Sequence, residues 1–242
     1  ITLTKEGEML IPSIREFLRA NAKLENQIAA ITDKKRDTIR VAAYASIAMH
    51  WMPEILYRFR RVCPNIDVDL RMVDNAIEPF ELLEKGRTDV IFAAKQAGFS
   101  CDWTPLCQDA MYAILPPDYP LDGQETFPIE AFEGKEFLMP YGKFDLDVKA
   151  ALSANNVKPK IRPCHVDDET VIRMVGKGLG LSMMAEMMIR GRTNGVTAVP
   201  IEPATGRELG MGLHMRESMP DGILRLRECV LAFIATLPGT ES

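Results

Sequence analysis

The sequence predicts an α/β protein of two lobes, preceded by one separate helix. Short β-branched segments alternate with amphipathic helical segments along most of the chain, and this alternation starts a second time near residue 110. The residues before it carry a heptad pattern instead. Alternating strands and helices form a parallel sheet with helices packed on its faces. A chain of 242 residues is long enough to give each of two lobes its own core.

Composition and charge exclude several classes of protein. The chain is 47% hydrophobic and 26% charged, which excludes a disordered protein, and its apolar run over 230–235 is far shorter than the roughly 18 residues of a membrane span. A net charge of -5 argues against nucleic-acid binding by this part of the chain, because phosphate binding needs clustered Lys and Arg. The five cysteines have no metal-ligand spacing, so we expect a reducing, cytoplasmic location.

A heptad pattern occupies the first predicted helix. Its members recur at alternating steps of four and three residues: Leu10, Ile14, Phe17, Asn21, Leu24, Ile28 and Ile31. So narrow a stripe is typical of two helices that pack on each other, and one polar member can fix their register. We therefore expect a dimerisation helix within residues 1–37. The alternative is an ordinary amphipathic helix that lies on its own domain.

The first lobe is predicted from the segment that follows. β-branched residues predict strands, and apolar residues at helical spacing predict the helices between them. The expected strands cover 38–44, 66–73 and 89–94, and the expected helices cover 46–62, closed by Cys63 and Pro64, and 77–85. Ser46 is expected as the N-cap of the first helix, and Gly86 as the residue that ends the second. A parallel sheet of this kind binds ligands beyond the carboxyl ends of its strands.

The second lobe repeats the alternation. Its expected elements are strands over 110–115, 137–139, 160–166 and 179–184, helices over 145–155 and 168–177, two more strands over 197–201 and 208–215, and a last helix over 223–234. We interpret these as a second α/β unit joined to the first by crossover strands, with a ligand site in the cleft between them. The predicted divisions are 1–37, 38–109 completed by 216–242, and 110–215.

Three short segments are candidates for ligand contact. Ser46 is expected at a helix N-terminus, where free N–H groups favour an anion, although it could equally serve only as a cap. Asn75 and Ala76 follow the second strand and face the same edge by topology, but Asn is also common in plain turns. Tyr141 and Phe144 follow the strand at 137–139, with loop packing as the alternative.

Catalytic patterns are missing from the sequence. The three histidines, His50, His165 and His214, are scattered, and the sequence contains no HExxH, GxSxG or phosphate-binding GxxxxGK[ST] motif. We therefore expect no catalytic residues, no metal and no cofactor.

Four motifs in order resemble LysR-type transcriptional regulators. LTKEG ahead of a dimerising helix is similar to the end of that family's wing and its linker helix, and CPNIDV followed by LLEKGRTDV resembles its first regulatory subdomain. VGKGLGLS resembles its second. The resemblance implies two Rossmann-like subdomains joined by crossover strands, as in type 2 periplasmic binding proteins. It also implies an amino-terminal winged helix-turn-helix, of which only the last wing residues are expected here.

The resemblance also implies a site and partners. The family's effector site falls on the loops after the first two strands, and with the candidates above the expected contacts are Ser46, Ile47, Asn75, Ala76, Ala94, Tyr141 and Phe144. The expected partners are a small-molecule effector, with an organic acid as one candidate, promoter DNA through the missing domain, and further copies of the chain in a dimer or tetramer. No membrane partner is expected.

Two alternatives belong to other classes of protein. An exported solute-binding protein would have the same two lobes, but it would need no dimerisation helix. An enzyme is the third hypothesis.

Overall fold

The computed structural model describes residues 4, 10–14, 16–17, 20–21, 37–73, 75–140, 146–215 and 219–237. Its strands are β1 (Asp37–Tyr44), β2 (Ile66–Val73), β3 (Val90–Ala94), β4 (Asp102–Leu115), β5 (Phe127–Pro128), β6 (Glu136–Met139), β7 (Lys160–Pro163), β8 (Ser182–Ala185), β9 (Thr197–Glu202) and β10 (Gly206–Leu213). Its helices are α1 (Ala45–His50), α2 (Met52–Val62), α3 (Glu78–Glu84), α4 (Leu146–Ala154), α5 (Asp168–Gly176), α6 (Glu186–Ile189) and α7 (Asp221–Ile234), with a 3-10 helix over Ile129–Phe132.

The first lobe contains the predicted parallel sheet. β1 lies between β2 and β3 and is parallel to both, with Asp37 opposite Ile66 and Val41 opposite Val90. All five residues of β3 are buried, as expected for a central strand covered on both faces. On one face α7 packs on the segment around α2, where the rings of Trp51 and Phe233 meet edge to face at 6.4 Å.

Two long antiparallel strands connect the lobes. β10 pairs with β3, and β4 pairs with β10 through its first half and with β8 and β9 through its second half. The prediction of a strand over 110–115 was therefore wrong about its start, because β4 begins at Asp102. Pro105 interrupts the sequence pattern, and it lies opposite a register shift between Leu209 and Gly210, where a missing N–H donor is tolerated.

The second lobe has a core on each side of β4. Ala113 and Leu115 belong to one buried cluster, and Ile114 belongs to the other. Successive side chains of a strand point to opposite faces, so this strand is covered by apolar residues on both. α5 supplies Val171 and Val175 to the cluster that contains Ile114.

The region after β1 differs from its prediction. Instead of one helix over 46–62, α1 ends at His50 and α2 runs from Met52 to Val62, with Trp51 between them. Pro53 lies in the first turn of α2, where its missing N–H costs nothing, whereas inside a longer helix it would break a hydrogen bond. Ser46 is not an N-cap: Tyr44 takes that position, and Ser46 lies inside the first turn.

Short elements account for the other differences. The strand expected over 160–166 ends at Pro163, and the one expected over 179–184 is found as β8. The 3-10 helix and α6, each of four residues, have no counterpart among the predicted elements.

The amino-terminal pattern is described only in part. The described residues between 10 and 21 are helical, and Leu10, Ile14 and Phe17 are 57%, 52% and 69% exposed. Asn21 is exposed as well, whereas Leu24, Ile28 and Ile31 lie outside the described residues. Dimerisation through this helix stays a prediction, as do the domain limits 38–109, 110–215 and 216–242.

Candidate functional site

A cleft with an empty volume of about 690 Å³, part of it open to solvent, lies between the two lobes. The described residues that line it are Tyr44, Ala45, Ser46, Val73, Asn75 and Ala76 on the first lobe, and Met111, Leu146, Asp147, Asp168, Met184, Ala185, Met188 and Arg207 on the second lobe and the crossover strands.

The wall on the first lobe begins where β1 meets α1. The extended backbone of Tyr44 ends the strand, and the next two residues open the helix toward the cleft. Ser46 is 1% exposed, and its Oγ accepts a hydrogen bond from an Nη of Arg207 at 3.4 Å. The Ser46 side chain therefore contacts a crossover strand rather than the backbone of its own helix.

Asn75 shapes the adjoining wall. Its Oδ1 accepts hydrogen bonds from the backbone N–H groups of Ile77 and Glu78 at 3.0 and 2.7 Å, and its Nδ2 donates to Glu78 Oε2 at 3.2 Å. These bonds satisfy N–H groups that the start of α3 would otherwise leave unpaired. Asn75 thus holds the turn in place, and Ala76 beside it leaves room in the cleft.

Arg207 on β10 connects the walls. Its Nε and one Nη donate to Asp109 Oδ2 at 3.0 and 2.9 Å, and its other Nη donates to Asp147 Oδ2 at 3.3 Å. Its guanidinium also lies over the ring of Tyr44, 5.6 Å from the ring centre. Together with the Ser46 bond, these contacts join α1, β4, α4 and β10 at one point.

Asp109 is the buried half of this ion pair. Its side chain is 1% exposed, and its Oδ1 accepts a hydrogen bond from the backbone N–H of Met187 at 3.0 Å. Burial alone would lower the pKa of Arg207, but the carboxylates of Asp109 and Asp147 outweigh burial and raise it. The guanidinium is therefore charged at every physiological pH.

Asp168 is a second buried carboxylate in the cleft. The residue is 9% exposed and lies in the first turn of α5. The preceding residue, Asp167, caps the helix by accepting a hydrogen bond from Thr170 N at 2.9 Å. Burial raises the pKa of Asp168 to about 6, and the charges of Arg207 and Arg192 offset only part of this effect.

The structure brings together some of the predicted site residues. Ser46, Asn75 and Ala76 line the cleft. Ile47 and Ala94 are 0% and 1% exposed and are not among the described lining residues. Tyr141 and Phe144 lie outside the described residues. As effector contacts, all of these residues stay predictions.

The charged residues of the cleft were not predicted from the sequence. Asp147, Asp168 and Arg207 line it, and Asp109 pairs with Arg207 behind the lining. One signal was present, since Asp109 and Arg207 are charged residues next to strand segments with apolar character. Their pairing could not be inferred, because they are 98 positions apart and meet only through the register of β4 and β10.

Among the residues that the structure describes, no group of three or more His, Cys, Asp or Glu is arranged to hold a metal ion. No helix in the described ranges is both long and apolar enough to cross a bilayer. The cleft combines apolar walls with a few directed polar groups, which is an arrangement suited to binding a small molecule.

Comparison with known proteins agrees with this architecture. Residues 32–235 match the family described as LysR substrate binding domain. A curated relative is the HTH-type transcriptional regulator TtuA of Agrobacterium vitis, 24% identical over 216 residues that cover 86% of this chain and 70% of TtuA. Two other curated regulators that the chain matches are covered over 65% of their length.

Two solved structures share the fold. The regulatory domain of CcmR from Synechocystis PCC6803, in complex with 2-PG, is 17% identical with a TM-score of 0.73, and the match covers 83% of this chain and 99% of that one. The effector binding domain of BenM with its effector benzoate is 20% identical with a TM-score of 0.73, and the match covers 86% of this chain and 97% of that one. At such identities the likeness establishes the fold.

Proposed function

The chain belongs to the LysR substrate binding domain family, and we propose that it is the effector-binding and oligomerisation part of a LysR-type transcriptional regulator. A small molecule in the cleft between the lobes alters the arrangement of subunits, and so the binding of promoter DNA by an amino-terminal domain. The observation that carries this proposal is the cleft, which is lined from both lobes and has Arg207 connecting its walls.

The proposed mechanism is a linkage between two equilibria. A ligand shifts a conformational equilibrium only if it binds one arrangement better than the other. Arg207 contacts Ser46 on the first lobe and Asp147 on the second, so a ligand that displaces or extends these contacts changes the preferred separation of the lobes. The amino-terminal helix then carries the change to the neighbouring subunit.

The other classes of protein have less support. Curated relatives of this chain are transcriptional regulators, which favours a regulator over an enzyme or an exported solute-binding protein. The exposed apolar side chains of Leu10, Ile14 and Phe17 also favour a protein that associates. A regulator acts where its promoter lies, so the proposed location is the cytoplasm.

The cleft is tested by ligand-dependent thermal unfolding. The wild-type chain is screened against a library of small organic acids, amines and neutral metabolites, and at least one compound is expected to raise the melting temperature in a concentration-dependent way. The same compounds are tested on Ala45→Phe, which places a ring in the cleft, and on Ala232→Phe, an exposed substitution on α7. Stabilisation should vanish in the first variant and persist in the second. Absence of stabilisation by any compound, or equal stabilisation of both variants, would contradict the proposal.

A further inference from the structure

Asp168 is a buried acid that the fold does not use. In the described part of the chain, its carboxylate accepts a hydrogen bond from its own backbone N–H, but no side chain donates to it and no ion pair within 4 Å includes it. The capping of α5 is done by Asp167 instead. An ionised group that is nine-tenths buried and has no side-chain partner in contact destabilises a protein, so such a group is a candidate for binding. Asp168 lines the cleft, where a ligand can reach it.

The described lining of the cleft is negatively charged once its ion pair is counted. Of the described lining residues, Arg207 is the only cation, and its charge is balanced by Asp109 immediately behind it. Asp147 and Asp168 remain as two further carboxylates on the same lining. An organic anion entering the cleft would therefore meet repulsion from two carboxylates and a guanidinium whose charge is already compensated.

A cationic ligand would instead be attracted by these two carboxylates. An ammonium group donates three hydrogen bonds and places a positive charge against the negative carboxylate of Asp168. A neutral hydroxyl would leave the negative charge of Asp168 without a counter-charge in contact. The rest of the lining includes the flexible apolar side chains of Met111, Met184 and Met188, which adapt to varied shapes.

We propose that the cleft takes a small organic amine, with its ammonium group bonded to Asp168, Asp147 as the second carboxylate, and its apolar part against Met111, Met184 and Met188. This inference rests on the proposed function and names the chemical class of its effector. The class differs from the benzoate that is bound by the BenM domain.

The test uses probes that share a skeleton and differ in charge. Benzylamine, benzyl alcohol and benzoate form one set, and cyclohexylamine, cyclohexanol and cyclohexanecarboxylate form another. Titration calorimetry on the whole chain at pH 7.5 is expected to show binding of an amine at least tenfold tighter than its carboxylate. Asp168→Asn is expected to weaken binding of the amine at least tenfold. The control is Glu169→Gln, the next residue, whose exposed carboxylate pairs with Arg173 outside the cleft and whose loss should change affinity less than twofold.

A second readout is pH. An alkylammonium stays protonated between pH 5 and 7.5, while Asp168, facing Arg207, Arg192 and Asp167, has a pKa of about 6. Amine affinity is expected to fall severalfold between pH 7 and pH 5 in the wild type and to stay level in Asp168→Asn.

The outcomes separate this inference from the proposed function. Suppose that carboxylates bind the wild type, that Ala45→Phe abolishes their binding, and that amines do not bind. The amine class is then wrong and the effector-binding function stands. If amines bind wild type, Asp168→Asn and Glu169→Gln equally, the assignment to Asp168 is wrong. If no amine of either set binds and only acids or neutral compounds of the thermal-unfolding library do, the amine class is wrong and the effector-binding function stands. If neither the probes nor any compound of that library binds the wild type, both proposals are contradicted.

Discussion

Arg207 and Asp109 form the most deeply buried ion pair in the described part of the molecule. Their side chains are 12% and 1% exposed, so neither charge is well solvated when the other is removed. A buried pair of this kind adds little net stability compared with apolar residues. Removing one partner is strongly destabilising, because it leaves the other charge buried without a counter-charge. The pair therefore fixes where β10 lies against β4 and where Ser46 and Asp147 lie in the cleft.

Replacement of Arg207 with Met should destabilise the fold by roughly 3–5 kcal/mol, because Asp109 is left buried and charged. The matched control is Arg173→Met, which removes an exposed helical ion pair with Glu169 and should cost less than about 0.5 kcal/mol. Urea unfolding followed by circular dichroism measures both. Adding Asp109→Asn to the first variant should recover part of the loss, and a loss equal to that of the control would show that the pair is not buried in solution.

The raised pKa of Asp168 predicts that the free energy of unfolding falls as the pH rises toward neutrality. Its folded pKa is raised from 3.8 to about 6, so the stability it contributes is complete below pH 4 and is lost as the pH rises through 6. A difference of two pKa units corresponds to about 3 kcal/mol.

Asp168→Asn removes this titration. The variant should match the wild type near pH 4 and become more stable than it by up to about 3 kcal/mol at pH 7.5, as measured by urea unfolding across that range. A wild type that is more stable than the variant at pH 7.5 would contradict both the burial of this carboxylate and its lack of a side-chain partner.

At the scale of elements, prediction from sequence succeeded where the pattern is local. β2 was expected over 66–73 and is found there, and Gly86 has the positive φ of 64° that ends a helix. Strong periodicity and a glycine in the left-handed region are properties of a few adjacent residues, so they can be recognised without a tertiary structure.

Prediction failed where a distant partner decides the structure. The first half of β4 contains Pro105 and polar residues, and it is a strand because β10, a hundred positions later, pairs with it. The same applies to the cleft: Asn75 follows a predictable strand, but the contact between Ser46 and Arg207 depends on how the lobes are joined.

A substitution at Gly210 tests the pairing of β10 with β4. A Cβ at this position would collide with the ring of Trp103 and lie 2.7 Å from the backbone oxygen of Thr104. Gly210→Ala should therefore destabilise the protein by about 2–3 kcal/mol through overpacking.

The control for that variant is Gly123→Ala. Gly123 has a φ of +80° but nothing within 4 Å of a new Cβ, so only the backbone strain of about 1 kcal/mol is expected. Thermal unfolding of the two variants should rank them in that order, and the reverse order would mean that β4 and β10 are not packed as described.

For the whole molecule, the central question is how a two-lobed body communicates with another subunit. Leu10, Ile14 and Phe17 are spaced by four and three residues and are all more than half exposed, so they lie on one apolar helical face in water. The heptad pattern continues over 24–31, outside the described residues. Burial of this face against a second copy is the simplest way to remove it from water.

The double variant Ile14→Ser, Phe17→Ser should weaken self-association at least tenfold, because each substitution removes an apolar contact worth more than 1 kcal/mol in a packed helix pair. Sedimentation equilibrium measures the change. Leu179→Ser, which alters an apolar side chain that is 49% exposed on the second lobe, is the control and should associate as the wild type does. Equal association of all three proteins would place the subunit interface elsewhere.

The claim that an effector in the cleft contacts both lobes is tested most directly by a crystal structure of the chain with the tightest-binding amine. We predict electron density for the ligand within hydrogen-bond distance of Asp168 on the second lobe and in contact with the Ser46 segment on the first. Ligand density on another surface, or an empty cleft in a protein that binds the amine in solution, would contradict it.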